Sequence, residues 1–226
     1  GDIATAEALI DAASHAGADI IKFQMFTAKK IATAKAQKTR YQLEQNSNSV
    51  GQLEMLSSLE LNRDQHIHLF EYAKNKNIEF LSTGFDNESN DFLVSLGISR
   101  VKVPSGEINN LPYLRQVARY QIPTLLSTGM STLAEIEDAL RILTTEGLKK
   151  SQVTVMHCTS EYPAPLDEIN LLAMLEIRKT FHVATGYSDH SLGATVPLAA
   201  VALGATVIEK HITLSKHFSG PDHQAS

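Results

Sequence analysis

Little in this sequence points to a membrane, a nucleic acid or an oxidising compartment. Its 226 residues hold a single cysteine, Cys158, which cannot form an internal disulfide and fits a reducing cytoplasm. As a side chain it reads as a small buried strand residue. No apolar run approaches the roughly twenty residues that span a bilayer, and the opening residues lack a basic segment followed by an apolar one. The net charge is −5, and no basic run exceeds Lys149-Lys150, which argues against nucleic acid as a main partner. A hydrophobic content of 43% in a chain of this length is ordinary for a globular protein with one sizeable core.

What is present is a regular alternation. Residues 4–16 place Ala6, Leu9, Ile10, Ala13 and Ala16 at helical spacing, and Gly17 closes the helix. A strand over 18–24 follows. Residues 27–60 have no strong period and read as a long excursion, partly helical. Helix 64–75 then leads to strand 78–83, helix 88–96 to strand 100–104, helix 111–120 to strand 123–127, and helix 132–146 to strand 152–158. Helix 168–180, strand 182–187, helix 194–203 and strand 205–212 complete the chain. Short strands each preceded by a helix imply parallel pairing with right-handed crossovers. No linker or composition shift divides them, so the chain reads as one domain, 1–226.

An eight-fold barrel needs one more strand before residue 1 and one more helix after residue 226. The alternative, an open doubly wound sheet, gathers its ligand at one switch point. Here polar residues close nearly every strand, which favours a ring. The expectation is an α/β fold, a TIM (β/α)8 barrel lacking its first strand and last helix.

Those strand ends carry the candidate chemistry. Lys22 interrupts Asp19-Ile20-Ile21-Lys22-Phe23-Gln24, and Lys102 interrupts Val101-Lys102-Val103. A lysine reaching solvent is the simpler account of either one. Two lysines inside apolar runs are better explained by a shared anion, because an unpaired buried ammonium costs several kcal/mol. Lys22 and Gln24, two apart, share a face. Ser82-Thr83-Gly84, Ser105-Gly106-Glu107, Ser127-Thr128-Gly129 and Ser188-Asp189-His190 offer hydroxyls and backbone N–H groups suited to a phosphate, although Ser and Gly are also default turn residues. His190 and His211 end the last two strands, so both imidazoles can reach one ion. Two histidines are too few for a closed zinc site and suit Mn²⁺ or Mg²⁺ acting as a Lewis acid. His15, His66, His68, His182 and His217 read as structural or solvated. Glu107, just past the strand of Lys102, and Asp222, in the loop beyond the last strand, are the candidate acids. Asp222 could equally serve only its turn.

The motifs KFQ (22–24), STGFD (82–86), KVPSGEINNLPYL (102–114), STGMSTLAEIEDA (127–139), HCTSEYPAP (157–165), GYSDHSLG (186–193), ALGATVIEKHITL (202–214) and GPDHQAS (220–226) together resemble the sialic acid synthase family. That family includes N-acetylneuraminate, legionaminate and pseudaminate synthases, and the likeness covers essentially the whole chain. QLEMLSSLEL (52–61) resembles its bacterial neuraminate and legionaminate branch. The resemblance implies a transferase of carbohydrate biosynthesis that condenses phosphoenolpyruvate with an N-acetylated amino sugar, giving a nine-carbon keto acid and phosphate. It implies a divalent metal on His190 and His211, and phosphoenolpyruvate contacts from Lys22, Thr83, Lys102, Ser105, Ser127 and Ser188. Gln24, Tyr162 and Asp222 would meet the sugar, with Glu107 near the reacting carbons. A homodimer is expected of the full-length form.

The sequence departs from the family pattern in places. Gly84 stands where STPFD has proline, and Ser160 where some members have asparagine. The family's first-strand motif E-I-G-x-N-H-x-G is missing, the chain starting at its final glycine, Gly1, and the C-terminal antifreeze-like domain is missing too. The chain by itself is therefore expected not to be a competent synthase. Two rivals are another phosphoenolpyruvate–aldose barrel, with Lys29, Lys30, Lys35, Lys38 and Arg40 gripping a sugar phosphate, and a non-catalytic sugar-binding barrel.

Overall fold

The computed structural model describes residues 1–38, 51–218, 220 and 222–226. Helices and parallel strands alternate as the periodicity predicts: α1 (Ile3–His15), β1 (Ile20–Met25), α2 (Ala28–Ile31), α3 (Gln52–Leu59), α4 (Arg63–Asn75), β2 (Glu79–Gly84), α5 (Asn87–Leu96), β3 (Val101–Val103), α6 (Leu111–Arg119), β4 (Thr124–Ser127), α7 (Leu133–Thr145), β5 (Val153–Cys158), α8 (Leu171–Phe181), β6 (Ala184–Asp189), α9 (Thr195–Ala202) and β7 (Ile208–Lys210). The described residues fall into two compact units. One comprises residues 1–98 and 212–223, the other residues 99–211 and 224–226.

In the first unit β1 pairs with β2 in parallel, Lys22 opposite Leu81 and Gln24 opposite Thr83. Ile21 and Met25 pack with Ile10, Leu69, Phe80 and Leu93 in the core cluster, and Phe23 lies against it. By the two-residue period of a strand, Lys22 and Gln24 face the other way. Side-chain caps fix where the helices start. Asp2 accepts from Ala4 N and Thr5 N of α1, Asn62 and Gln65 close a capping box on α4, and Asp86 accepts from Ser89 N of α5. Gly97, at φ +99°, ends α5 in the left-handed conformation glycine adopts at least cost. The excursion contributes α2 and α3; Arg40, one of the expected loop cations, lies outside the described residues.

In the second unit β3 to β7 form one parallel sheet in strictly sequential order. No strand order reversal interrupts it, so this sheet lacks the switch point of a doubly wound fold. Thr132 and Glu135 make the capping box of α7 inside the STLAE stretch. Pro197 sits in the first turn of α9, where its missing N–H would be unpaired anyway.

Several strand limits need correction: strand 18–24 runs Ile20–Met25 and strand 182–187 runs Ala184–Asp189, and two others have a local cause. Strand 100–104 stops at Val103, because Pro104 leads into a 3₁₀ turn over Ser105–Glu107. Strand 205–212 shortens to Ile208–Lys210: β7 is the last strand of its sheet, and its ladder with β6 ends at Asp189 opposite Lys210.

Candidate active site

The register of the second unit's sheet brings polar strand residues together. Lys102 lies opposite Leu125, Leu125 opposite Thr154, Ser127 opposite Met156, Cys158 opposite Ser188, and Ser188 opposite Glu209. In a parallel sheet such partners share a face, so Lys102, Ser127, Ser188 and Glu209 stand on one side. Lys102 is only 4% exposed, and its ammonium donates to Ser127 Oγ at 2.6 Å and to Glu209 Oε1 at 3.3 Å. Glu209 Oε1 also accepts from Ser188 Oγ at 2.9 Å. The lysine that seemed to require an external anion thus has a carboxylate from the same sheet beside it.

The two candidate metal ligands follow directly on β6 and β7. Their ring centroids are 5.5 Å apart at 71°. His190 Nδ1 lies 2.6 Å from the Thr159 carbonyl, which can only accept, so Nδ1 carries the proton and Nε2 the lone pair. Burial pushes the His190 imidazole below its usual pKa range, against the Thr159 bond and the nearby Glu209 charge. A neutral imidazole with its outer nitrogen fixed by a carbonyl is the form a divalent cation takes as ligand. These features fit a cation held by His190 and His211. Among the described residues no set of three His, Cys, Asp or Glu side chains comes together, so water and substrate would fill the other positions. Tyr162 closes one side, its ring 4.1 Å from that of His190 and 5.6 Å from that of His211.

Ser105 and Glu107 occupy the turn after β3. Ser105 Oγ accepts from Gly129 N at 2.9 Å and lies 3.5 Å from Cys158 Sγ. A side chain at residue 129 would run into Ser160, Ser105 and Cys158, so only glycine fits. Cys158 is free and buried. Glu107 accepts from Asn110 Nδ2 at 2.6 Å, which ties it to the start of α6.

The first unit holds Lys22, Gln24, Thr83 and Asp222. Thr83 is buried, and among the described residues nothing hydrogen-bonds its hydroxyl. Burial raises the Asp222 carboxyl to about 6, with the Lys22 charge pulling the other way. Gln24 is exposed. A side chain added at Gly84, the position of the family's usual proline, would collide with Asn90. Lys30, one of the loop cations, is engaged by Glu88 at 2.8 Å and Asp86 at 3.8 Å. His66 packs in the interior between the Asn62 carbonyl and Ser82 Oγ, and His68 pairs with Glu7.

A model of the NeuB family matches residues 9–226. The chain belongs to the NeuB family. It is 51% identical, over its whole length and 68% of the relative's, to an N,N'-diacetyllegionaminic acid synthase of Campylobacter jejuni. It is 46% identical to the enzyme of the same name from Legionella pneumophila, again over its whole length but 64% of that protein. The chain thus spans about two thirds of these relatives. Among solved structures, the N-acetylneuraminic acid synthetase of Leptospira borgpetersenii, in complex with citrate, superposes with a TM-score of 0.88 at 31% identity, covering all of this chain and 73% of the other. Among the described residues, no helix is long and apolar enough to cross a membrane.

Reading the sequence of this NeuB-family chain missed Glu209. The period-two argument that joined Lys22 to Gln24 applies equally to Glu209 and His211, and would have put Glu209 on the face of the candidate metal ligand. The pairing of Asp189 with Lys210 at 2.6 Å was also missed, because it depends on register.

Proposed function

We propose that this NeuB-family domain binds phosphoenolpyruvate and an N-acetylated amino sugar and joins them into a nine-carbon keto acid, with release of phosphate. The observation that carries this reading is the cluster of buried Lys102, Ser127 and Ser188 around half-buried Glu209, on the sheet that also leads into the His190–His211 pair. A buried ammonium with hydroxyls around it is a ready site for a phosphorylated carboxylate, and His190 and His211 would hold the divalent cation. Mn²⁺ or Mg²⁺ supplies Lewis acidity to the sugar's carbonyl when bound.

In the reaction, C3 of phosphoenolpyruvate forms a bond to the sugar aldehyde carbon, whose oxygen gains a proton. Water then adds at C2, and the resulting tetrahedral centre expels phosphate. Lys102 balances the carboxylate and phosphate charge, an effect strengthened by exclusion of water. Ser127, Ser188 and Ser105 offer hydroxyls to the anion, and Tyr162, packed on His190, meets the sugar. The family resemblance gives Lys22 and Thr83 the same part toward the anion and Gln24 the same part toward the sugar. Asp222, whose carboxyl holds its proton to about pH 6, and Glu107 would move protons.

The strictly sequential order of β3 to β7 supports a (β/α)8 barrel as the architecture. The names of the two legionaminic acid synthases favour a 2,4-diacetamido sugar over N-acetylmannosamine as acceptor. The pairing of Lys30 with Glu88 and Asp86 weighs against a loop built to grip a sugar phosphate. Phosphoenolpyruvate binding to this chain, by calorimetry, tests the anion site. Phosphate release from the chain extended to its relatives' length, with Mn²⁺ and each of the two sugars, tests the reaction. Phosphate release is expected with the diacetamido sugar; binding without turnover on any amino sugar would overturn the synthase reading.

A further inference from the structure

The outer side of β6 and β7 carries a second ion pair, one residue before each of the two histidines. Asp189 and Lys210 face each other across the last rung of the ladder, and the chain passes from them directly into His190 and His211. Strand alternation turns Ser188 and Glu209 to the inner side and Asp189 and Lys210 to the outer. Asp189 is fully buried. Its Oδ2 accepts from Lys210 Nζ at 2.6 Å, and its Oδ1 accepts from Ser191 N at 3.0 Å and Ser191 Oγ at 2.7 Å. Lys210 Nζ also donates to the Ser191 carbonyl at 2.6 Å. Three residues thus form a closed polar ring in which the backbone N–H, hydroxyl and carbonyl of Ser191 are all held.

That ring brackets His190, since residues 189 and 191 on either side of it both belong to the ring. The backbone of His190 is gripped as well, its carbonyl accepting from Ala164 N at 2.8 Å. On the other strand, Lys210 is the last residue of the three-residue β7, and its ammonium is latched across to β6 immediately before His211. An ion pair with its carboxylate fully buried is often no more stabilising than an apolar pair of the same shape, so net stability explains it poorly. What it does supply is a fixed spacing between two strand ends where the ladder stops.

We propose that the Asp189–Lys210–Ser191 ring is a clamp that sets the separation and aim of the His190 and His211 imidazoles, making Asp189 and Lys210 positioning residues for the cation. The cation itself rests on the function proposed above; the spacing of the rings does not.

The test uses Lys210→Met, Asp189→Asn and the double variant, which buries no unpaired charge. Nitrogen-15 spectra of the histidine rings are recorded without metal, Mn²⁺ affinity is measured by electron paramagnetic resonance, and phosphoenolpyruvate affinity by calorimetry. The ring signals of His190 and His211 are expected to shift or split in each variant. Mn²⁺ affinity should fall about tenfold, the scale seen when groups behind metal ligands are removed. Phosphoenolpyruvate affinity should stay within about twofold of the parent, and the double variant should lose no more than either single one, as for two residues acting through one bond. Unchanged ring signals in a folded variant would overturn the clamp, as would equal losses of Mn²⁺ and phosphoenolpyruvate affinity, which would mark a purely structural role. Where a single variant does not fold, the double variant decides. If the parent chain binds no Mn²⁺, the cation reading fails while the ring signals still decide the clamp.

Discussion

Lys102 in one compact unit and Lys22 in the other occupy the same kind of place, the interior of a short parallel strand, yet their surroundings differ. Around Lys102 the sheet register supplies Ser127 and Glu209, and Glu209 in turn is held by Ser188. In the unit of Lys22, the Thr83 hydroxyl is buried with no hydrogen-bond partner among the described residues, and the Asp222 carboxyl is pushed up to about 6. A sheet of five strands can answer a buried charge on its first strand with a carboxylate from its last. The pair of strands leaves the Thr83 hydroxyl for a ligand to pair. The first arrangement holds its shape without ligand and meets an anion already organised.

The largest effect should come from breaking the answered charge. Glu209→Gln leaves the Lys102 ammonium buried without its carboxylate and should lower stability on the order of 3 kcal/mol. In a chain of this size that is a fall of about 6–12 °C in the unfolding midpoint by calorimetry. Saturating phosphoenolpyruvate should restore part of it. An unchanged midpoint would show that Lys102 does not depend on Glu209.

Next comes the ligand side of the same contrast. Lys102→Met should weaken phosphoenolpyruvate binding about a hundredfold, the scale of one or two charge-assisted hydrogen bonds in a dry site, and Lys22→Met about tenfold. Calorimetric titration reads both, and a larger loss at Lys22 would reverse the comparison.

A smaller effect should appear at Asp222. Its folded pKa is raised, so the folded state binds more protons than the unfolded between about pH 4 and pH 6, and stability falls as pH rises through that window. Asp222→Asn removes this fall. The variant should match the parent near pH 4 and exceed it at pH 7 by about 1–2 kcal/mol, read as unfolding midpoints across the range. Parallel curves would rule out the raised carboxyl.

The smallest change is Thr83→Val. Removing a buried, unpartnered hydroxyl while keeping the shape should leave stability unchanged or raise it by up to about 1 kcal/mol. Phosphoenolpyruvate binding should weaken at the same time, because the hydroxyl finds its partner in the ligand. A clear loss of stability would mean that the hydroxyl is already satisfied within the fold.

How much of this could be read from the sequence varies with the physics behind each feature. The helices from α4 to α9 and the strands were legible because apolar spacing and terminal Gly, Asn, Asp and Thr residues encode them locally. The helix α3 was legible only as part of a partly helical excursion, because Gln52–Leu59 lies in a segment without a strong period. The candidate ligands His190 and His211 were legible as strand ends. The partners Glu209 and Asp189 were not, because a pairing across strands is fixed by register, and register is a property of the assembled sheet. Lys102 illustrates the cost: inside an apolar run it signals that some counter-charge must exist, but the run cannot say whether protein or ligand provides it.

Gly84 and Asn90 carry a consequence for engineering. Substituting the residue most common among homologues is a standard route to a sturdier protein, and at position 84 the family pattern points to proline. Here the Asn90 side chain and backbone fill the space that any added carbon would need. Proline at 84 would therefore be harmful alone, and a smaller residue at 90 would relieve only the clash with the Asn90 side chain, since its backbone N also lies 3.0 Å from the added carbon. The two positions form an epistatic pair, so the order in which such changes are introduced decides whether the intermediate folds.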